Sequence, residues 1–413
     1  LKNHDLAIHK WNGYVQHPHP ISLKYLTPQE LCLLAGLHPG HFGHSSRVTA
    51  TFFQPFAQLP YSCLSGSSWY PVAGLMTAML KLGSIQLDMP FVQAPLAGYT
   101  DWPMRVIARR FGAPLTFTGV MLDQIALNAK ALRKKLFQLG DEPHPVGAQL
   151  LGIDPEDMAT AAKVFESMGF DLIDLNFACP APKVVRKARG GSLLADPNCV
   201  MSIYRRVREA VKCPVLMKLR IGLDRSEAAQ EDFWRIVEEA SGEGIDALVI
   251  HGRTVEQRYK GTADWDMLTS IKKRFPKTTI LGSGDLLDAR TAVERLKTSG
   301  LDGAIIARGA VGNPWIFQEI RALWNGDEMP PPPSVEEQGR VMLDHFMMVC
   351  KLKEPRKAIP YYRKFATGYT KRHPARKLVH LALMSAKTKD DILRLISEHY
   401  GIDTTGAELE KKS

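Results

Sequence analysis

From Pro90 onward, short β-rich runs alternate with amphipathic stretches, and this alternation restricts the possible folds more than any other feature of the chain. Parallel strands need a crossover that returns the chain to the same sheet end, and a helix supplies it. Eight runs are read as strands: Phe91–Leu96, Leu115–Thr118, Val146–Leu150, Leu172–Leu175, Val215–Leu219, Ala247–Ile250, Thr279–Leu281 and Ala304–Ala307. Helical patterns lie between them, at Pro155–Met168, Asn198–Val211, Ala229–Gly242 and Leu287–Ser299. The first is opened by Asp154 as a cap and Pro155 in the first turn. Eight such strands close a (β/α)8 TIM barrel, and 413 residues exceed the roughly 250 that one barrel needs. A doubly wound open sheet is the rival. Against it, no GxGxxG follows the first strand, and polar candidates recur at the ends of several strands.

The run Pro330-Pro331-Pro332-Pro333 cannot continue a helix and reads as a stiff spacer. Beyond it, Val335–Leu352, Lys357–Lys371 and Lys389–His399 have helical spacing. The expected organisation is a barrel over 76–328, a proline linker at 329–333 and a small C-terminal α-helical domain over 334–413, loose after Gly401. Residues 1–75 hold seven of the thirteen histidines and show no sustained period, so poor order is expected there. Met76-Thr77-Ala78-Met79 precedes the first regular segment, and translation is expected to start at Met76 or Met79. The histidines then form no metal site.

The net charge is +10. Between Lys351 and Lys377 there are ten Lys or Arg against Glu354 alone, with Tyr361, Tyr362, Phe365 and Tyr369 interleaved. This pattern reads as a phosphate-contacting surface with aromatic support, for which Arg363, Lys364, Lys371 and Arg372 are the candidates. The bland alternative is a solvated helix face over a core of aromatics. Six cysteines form no CxxC pair and no cluster with histidine, which suits a reducing cytoplasm. No run of about 18 apolar residues suggests a membrane span.

In a barrel, active sites gather at the C-terminal strand ends. There the sequence places Ala97 and Gly98, Gln149, Asn176 and Cys179, Lys218, His251 and Arg253, Ser283-Gly284-Asp285, and Arg308-Gly309. Cys179 sits on a loop braked by Pro180 and followed by Lys183, Arg186, Lys187 and Arg189, where a thiol could meet an anionic substrate. Lys218 is the one charge in the run Val215-Leu216-Met217-Lys218-Leu219. Burying an unpaired ammonium is expensive, so an electron-rich ligand is favoured over a core role. His251 could equally cap its loop, and Gln149 could merely satisfy backbone. The glycine-bearing loops after the seventh and eighth strands let backbone N–H groups approach an anion. A phosphate there, with Lys218, Gln149 and His251 around the mouth, suits FMN. Pyridoxal phosphate, with Lys218 as the Schiff base, competes. A cysteine placed as acid favours flavin, because hydride addition to a conjugated double bond needs a proton at the neighbouring carbon.

Taken together these residues resemble the tRNA-dihydrouridine synthase family. The likeness runs from Met89 to Ile320 through Ala94-Pro95-Leu96-Ala97-Gly98-Tyr99-Thr100-Asp101, Gln149, Asp174 to Pro180, Lys183-Val184-Val185-Arg186-Lys187, Gly190-Gly191-Ser192-Leu193-Leu194, Lys218-Leu219-Arg220, His251-Gly252-Arg253-Thr254, Gly284-Asp285 and Arg308-Gly309-Ala310, with Gly312-Asn313-Pro314-Trp315 after them. The resemblance implies NADPH reducing a bound FMN, hydride passing to carbon 6 of a tRNA uracil, and Cys179 protonating carbon 5. It implies that Pro95, Leu96 and Ala97 border the flavin, that Gln149 and Lys218 contact its pyrimidine side, and that His251 approaches the ring. Ser283, Gly284, Asp285, Ala307 and Arg308 would lie in the phosphate-binding segments. Asn176 would help hold the uracil, and Arg253 the substrate or the flavin phosphate. A thiol that donates a proton must hold one before turnover, so Lys183 and Arg186, with Lys187, are expected to point at RNA phosphates and away from sulfur. A monomer with no metal is expected.

Ser283 stands where many family members carry asparagine, Leu96 replaces a frequent methionine and Ala178 a usual glycine. These departures bear on subfamily and on which uridine is modified. A flavin barrel acting on a small pyrimidine or enone, as dihydroorotate-type dehydrogenases do, would explain the barrel without the basic domain. An RNA-binding protein without catalysis would leave Cys179 and Lys218 unexplained.

Overall fold

The described residues, 80–133 and 139–405 of a computed structural model, begin with a hairpin that the sequence does not announce, β1 (Leu80–Leu82) and β2 (Ile85–Leu87). The expectations for residues 1–75 lie outside the described residues. Leu80, Leu82 and Leu87 are buried in one cluster with Leu115, Leu172, Leu216 and Leu281 from inside the barrel, so the hairpin plugs its N-terminal end. Each such leucine contributes about 1.5–3 kcal/mol of burial. Two three-residue strands are too short to show a period, which is why the sequence pattern is silent there.

Eight strands then form the barrel: β3 (Phe91–Gln93), β4 (Thr116–Phe117), β6 (Val146–Leu151), β7 (Leu172–Asn176), β8 (Val215–Arg220), β9 (Ala247–His251), β10 (Ile280–Ser283) and β11 (Gly303–Ile306). Two-residue β5 (Met121–Leu122) extends the edge of β6. The strands are parallel in the order β4-β6-β7-β8-β9-β10-β11-β3. The ring closes where the Gln93 N–H donates to the Leu115 carbonyl at 3.1 Å. The architecture is a TIM barrel followed by C-terminal helices.

Side chains alternate across each strand. Ile173 and Leu175, Met217 and Leu219, and Leu248 and Ile250 face the surrounding helices. Leu172, Leu216, Val249, Leu281 and Ile305 face inward as an apolar layer. Two residues further on, the same inward rows carry Asp174, Lys218, His251 and Ser283. The polar site is therefore the upper layer of the barrel's own interior.

The C-terminal helices begin at Val335–Leu352, whose start is a capping box between Ser334 and Glu337. The single helix expected over Lys357–Lys371 is instead broken into Pro355–Tyr362, a 3-10 turn at Arg363–Phe365, and Ala366–Thr370. A further helix, Arg376–Ser385, and then Lys389–Tyr400 follow. The break lies where this region meets the barrel main chain to main chain. A Cβ on Gly368 would sit 1.9 Å from the Val311 carbonyl, and one on Gly312 (φ +63°) 2.4 Å from the Phe365 carbonyl. Around that contact, Arg372 pairs with Glu319 at 2.7 Å, Lys353 with buried Asp101 at 3.4 Å, and the Tyr361 hydroxyl donates to the Tyr99 carbonyl at 2.9 Å.

The four interleaved aromatics do not support a nucleic-acid surface as expected. All four are buried: Tyr362, Phe365 and Tyr369 pack around His345 and Tyr361 packs on Phe365, so the alternation of basic and aromatic residues is that of a helix with a wet and a dry side. Among the described residues, no helix is long and apolar enough to cross a membrane.

His345 gives this packing a pH dependence. Burial among aromatics pulls its imidazole down to about 3, with one ring nitrogen bonded to the Tyr369 hydroxyl at 2.7 Å. The unfolded chain takes up a proton below about pH 6.5 that the folded chain refuses, so the contribution of His345 is full above that pH and is lost as pH falls. Thermal melts should show Tm falling between pH 7.5 and 5, with a slope of at most about 1.4 kcal/mol per pH unit from this group. His345→Leu should flatten that part of the slope; an unchanged slope would assign the acid sensitivity elsewhere.

Candidate active site

Strand register brings the inward polar residues together. Gln149 lies opposite Asp174, Asn176 opposite Lys218, Arg220 opposite His251, and His251 opposite Ser283. All of them but Asp174, which lies beneath, line a cavity of about 890 Å³, open mouth included, walled by Pro95, Leu96, Ala97, Cys179, Gly284, Asp285, Ala307 and Arg308. Leu96, Ala97, Cys179, Pro180, Tyr259 and Arg308 also line a wider groove that reaches Lys364 and Lys371 on the C-terminal helices. Cys179 thus sits on the ridge between a deep cavity and a basic groove.

The floor is electrically unusual. Lys218 is half-buried, but its ammonium nitrogen is enclosed and has no hydrogen-bond partner; Asp174, fully buried, leaves Oδ1 without one. Burial pulls the lysine down and pushes the aspartate up, and the attraction between the two opposes both shifts. Burial also drives His251 down to about 2, with the charges of Arg220, Lys218, Arg253 and Arg308 adding to the effect. Its imidazole is neutral at any working pH.

The two anion-facing loops depend on close main-chain approach. Gly284 (φ +127°) has no room for a Cβ, which would lie 2.5 Å from that of Ala263, and a Cβ on Gly309 would lie 2.4 Å from the Leu286 carbonyl. Burial alone would raise the Asp285 carboxyl; the Ala263 N–H, the bond from Arg253 and the charges of Arg253 and Arg308 hold it below the usual range. Arg308 remains half exposed at the rim, 5.1 Å from the centre of the Tyr259 ring.

Several sequence candidates are placed elsewhere. Arg253 is buried and lines neither cavity: its guanidinium donates to the Lys260 and Gly261 carbonyls and to both oxygens of Asp285. Arg363 donates to the Met384 carbonyl, and Arg372 is occupied by Glu319 and Asn313. Lys364 and Lys371 are the two of the four that reach the groove. Lys183 and Arg186 are exposed around the short helix Pro182–Val185 and line neither cavity.

Three residues at the site carry no role in the sequence reading. Asp174 follows from period-two alternation once Asn176 is placed, and Arg220 follows likewise from Lys218. Buried Arg220 donates to the carbonyls of Ala178, Thr254 and Arg258, tying the cysteine loop to the loop after β9. Tyr259, 59% exposed at the rim, has no comparable signal because it lies in an irregular loop.

A family model described as dihydrouridine synthase (Dus) matches residues 92–400, which takes in both the barrel and the C-terminal helices. A "Probable tRNA-dihydrouridine synthase" of Rickettsia conorii is 33% identical over 293 residues, 71% of this chain and 87% of that one. That of Rickettsia prowazekii is 31% identical over 323 residues, 78% of this chain and 98% of the relative. "tRNA-dihydrouridine synthase B" of Pseudomonas putida is 36% identical over 267 residues, 64% and 78% of the two chains. The matched span holds the cavity floor, the cysteine loop and the basic groove, and the chain belongs to the dihydrouridine synthase family.

Proposed function

We propose that this chain reduces uridines in tRNA to 5,6-dihydrouridine, using FMN held in the barrel mouth and NADPH as the source of electrons. The observation that carries the proposal is the unpartnered, fully enclosed Lys218 ammonium under a cavity whose rim bears a free thiol. An ammonium in that position stabilises negative charge placed above it, which suits the pyrimidine edge of a flavin. Gln149 flanks the same edge, and Pro95, Leu96 and Ala97 form the apolar wall of the cavity. The main chain at Ser283, Gly284 and Asp285, with Ala307 and the half-exposed Arg308, would hold the phosphate. Arg253 acts behind this segment, fixing Asp285, and neutral His251 can face the ring without adding charge.

A flavin held there would supply a hydride for carbon 6 of the uracil. The Cys179 thiol gives its proton to carbon 5, so the carbon–carbon double bond becomes single, and the resulting thiolate regains a proton from water. Asn176 holds the cysteine loop beside the base, while Lys364 and Lys371 meet phosphates of the RNA that enters the groove.

Expressed in a bacterial strain deprived of its own dihydrouridine synthases, the full chain should restore dihydrouridine to bulk tRNA, read by mass spectrometry of nucleosides. A yellow, folded protein that leaves the tRNA unmodified would point instead to a flavin enzyme acting on a small pyrimidine.

A further inference from the structure

A line of polar side chains runs from the barrel floor to the cysteine loop, and its hydrogen bonds can run in one sense only. The main-chain N–H groups of Ala178 and Cys179 both donate to Asn176 Oδ1, at 3.1 and 3.0 Å. A main-chain N–H has no acceptor form, so the Asn176 oxygen must face the loop and its Nδ2 must face away. Nδ2 donates to Gln149 Oε1 at 2.8 Å, which turns Gln149 Nε2 toward Asp174 Oδ2 at 2.7 Å. The residue that ends the line must accept. Asp174 does so with one oxygen, and its other oxygen is buried in the field of Lys218.

We infer that Asp174 is a positioning residue: by ending this line with an accepting oxygen it fixes the amide orientations of Gln149 and Asn176, and through them the main chain that carries the Cys179 thiol. The position of the thiol is thereby tied to the charge balance under the cavity. The inference deepens the proposed function and rests on it only for the importance of the thiol to the reaction.

Donor and acceptor order gives a sharp test. In Asp174→Asn, an amide that turns its NH2 to Gln149 sets donor against Nε2, and one that turns its oxygen there keeps that bond but loses the carboxylate's attraction for the Lys218 ammonium. In Gln149→Glu, a second carboxylate faces Asp174. The double variant Q149E/D174N restores the whole order: the carboxylate at 149 accepts from Asn176 and from the amide at 174, whose oxygen then faces Lys218. The net charge of the pair is also restored.

The readout is iodoacetamide alkylation of Cys179, followed peptide by peptide by mass spectrometry in the full chain without RNA. Each single variant should raise the Cys179 rate by about threefold to tenfold, and the double variant should bring most of it back. Cys199, Cys213 and Cys350, all half-buried, serve as internal controls, since general loosening would raise their rates together. An unchanged Cys179 rate in a folded single variant, or a double variant no better than the worse single, would overturn the inference. Should Asp174→Asn fail to fold, Gln149→Glu and the double variant still decide. Since no substrate is present, a failure to reduce uridine would leave this result standing, and the converse holds equally.

Discussion

Cys179→Ala should lower dihydrouridine formation by about 10²- to 10⁴-fold, the range over which a positioned proton donor acts, while the purified protein stays yellow and binds tRNA as before. The thiol lies on the ridge shared by the cavity and the groove, and its loop is held from below by Asn176 and from the side by the bond from Arg220 to the Ala178 carbonyl. Alanine removes the sulfur and leaves both anchors untouched. The loss should therefore fall on kcat, with the KM for tRNA changed little. Flavin absorbance and single-turnover kinetics on transcript tRNA would separate the two. Turnover at the wild-type rate would assign the proton to another group, and loss of the bound flavin would show that the side chain supports the cavity.

Reversing the charge at Lys364 and Lys371 together should weaken tRNA binding by about 10- to 100-fold at moderate salt. It should also reduce the slope of log affinity against log salt by about 1.4 to 1.8, as expected for two lost phosphate contacts. Both lysines line the groove, and the Lys364 ammonium stands 4.8 Å from the centre of the Tyr361 ring and 3.4 Å from the Gly98 carbonyl, so it is already aimed at the barrel mouth. Flavin spectra should not change. Arg372→Glu is a different experiment, because it sets a carboxylate against Glu319 and weakens the seat of the C-terminal helices; its first effect should be on Tm. An unaltered salt slope in the double lysine variant would move the RNA to another face.

The barrel and the members of its site were legible for one reason: a strand's side-chain period is two, so an inward row that is apolar at Leu216 and charged at Lys218 declares both its face and its end. The same period pointed to Asp174, which stood between two residues already singled out, and only the hydrogen bonds of Gln149 reveal what it does. What could not be read concerns direction in space. The sequence places Arg253 at a strand end but does not say that its guanidinium turns inward to Asp285. It places aromatics among cations but does not say which side of the helix each takes; burial of Tyr362, Phe365 and Tyr369 follows from contact with His345, more than ten residues away in the chain. The broken helix after Pro355 is likewise set from outside, by the barrel loop it touches.

That touching point has a consequence for how an RNA substrate is chosen. Between Gly312 and Gly368 two main chains meet with no side chain between them, so the C-terminal helices cannot approach the barrel more closely there. That contact sets a lower limit on the span from Lys371 to the Cys179 thiol along the groove both line, as a stop does on a caliper. If Lys371 holds the backbone of a folded RNA and Cys179 meets the base, that limit would bear on which uridines can be reached, through length before letters.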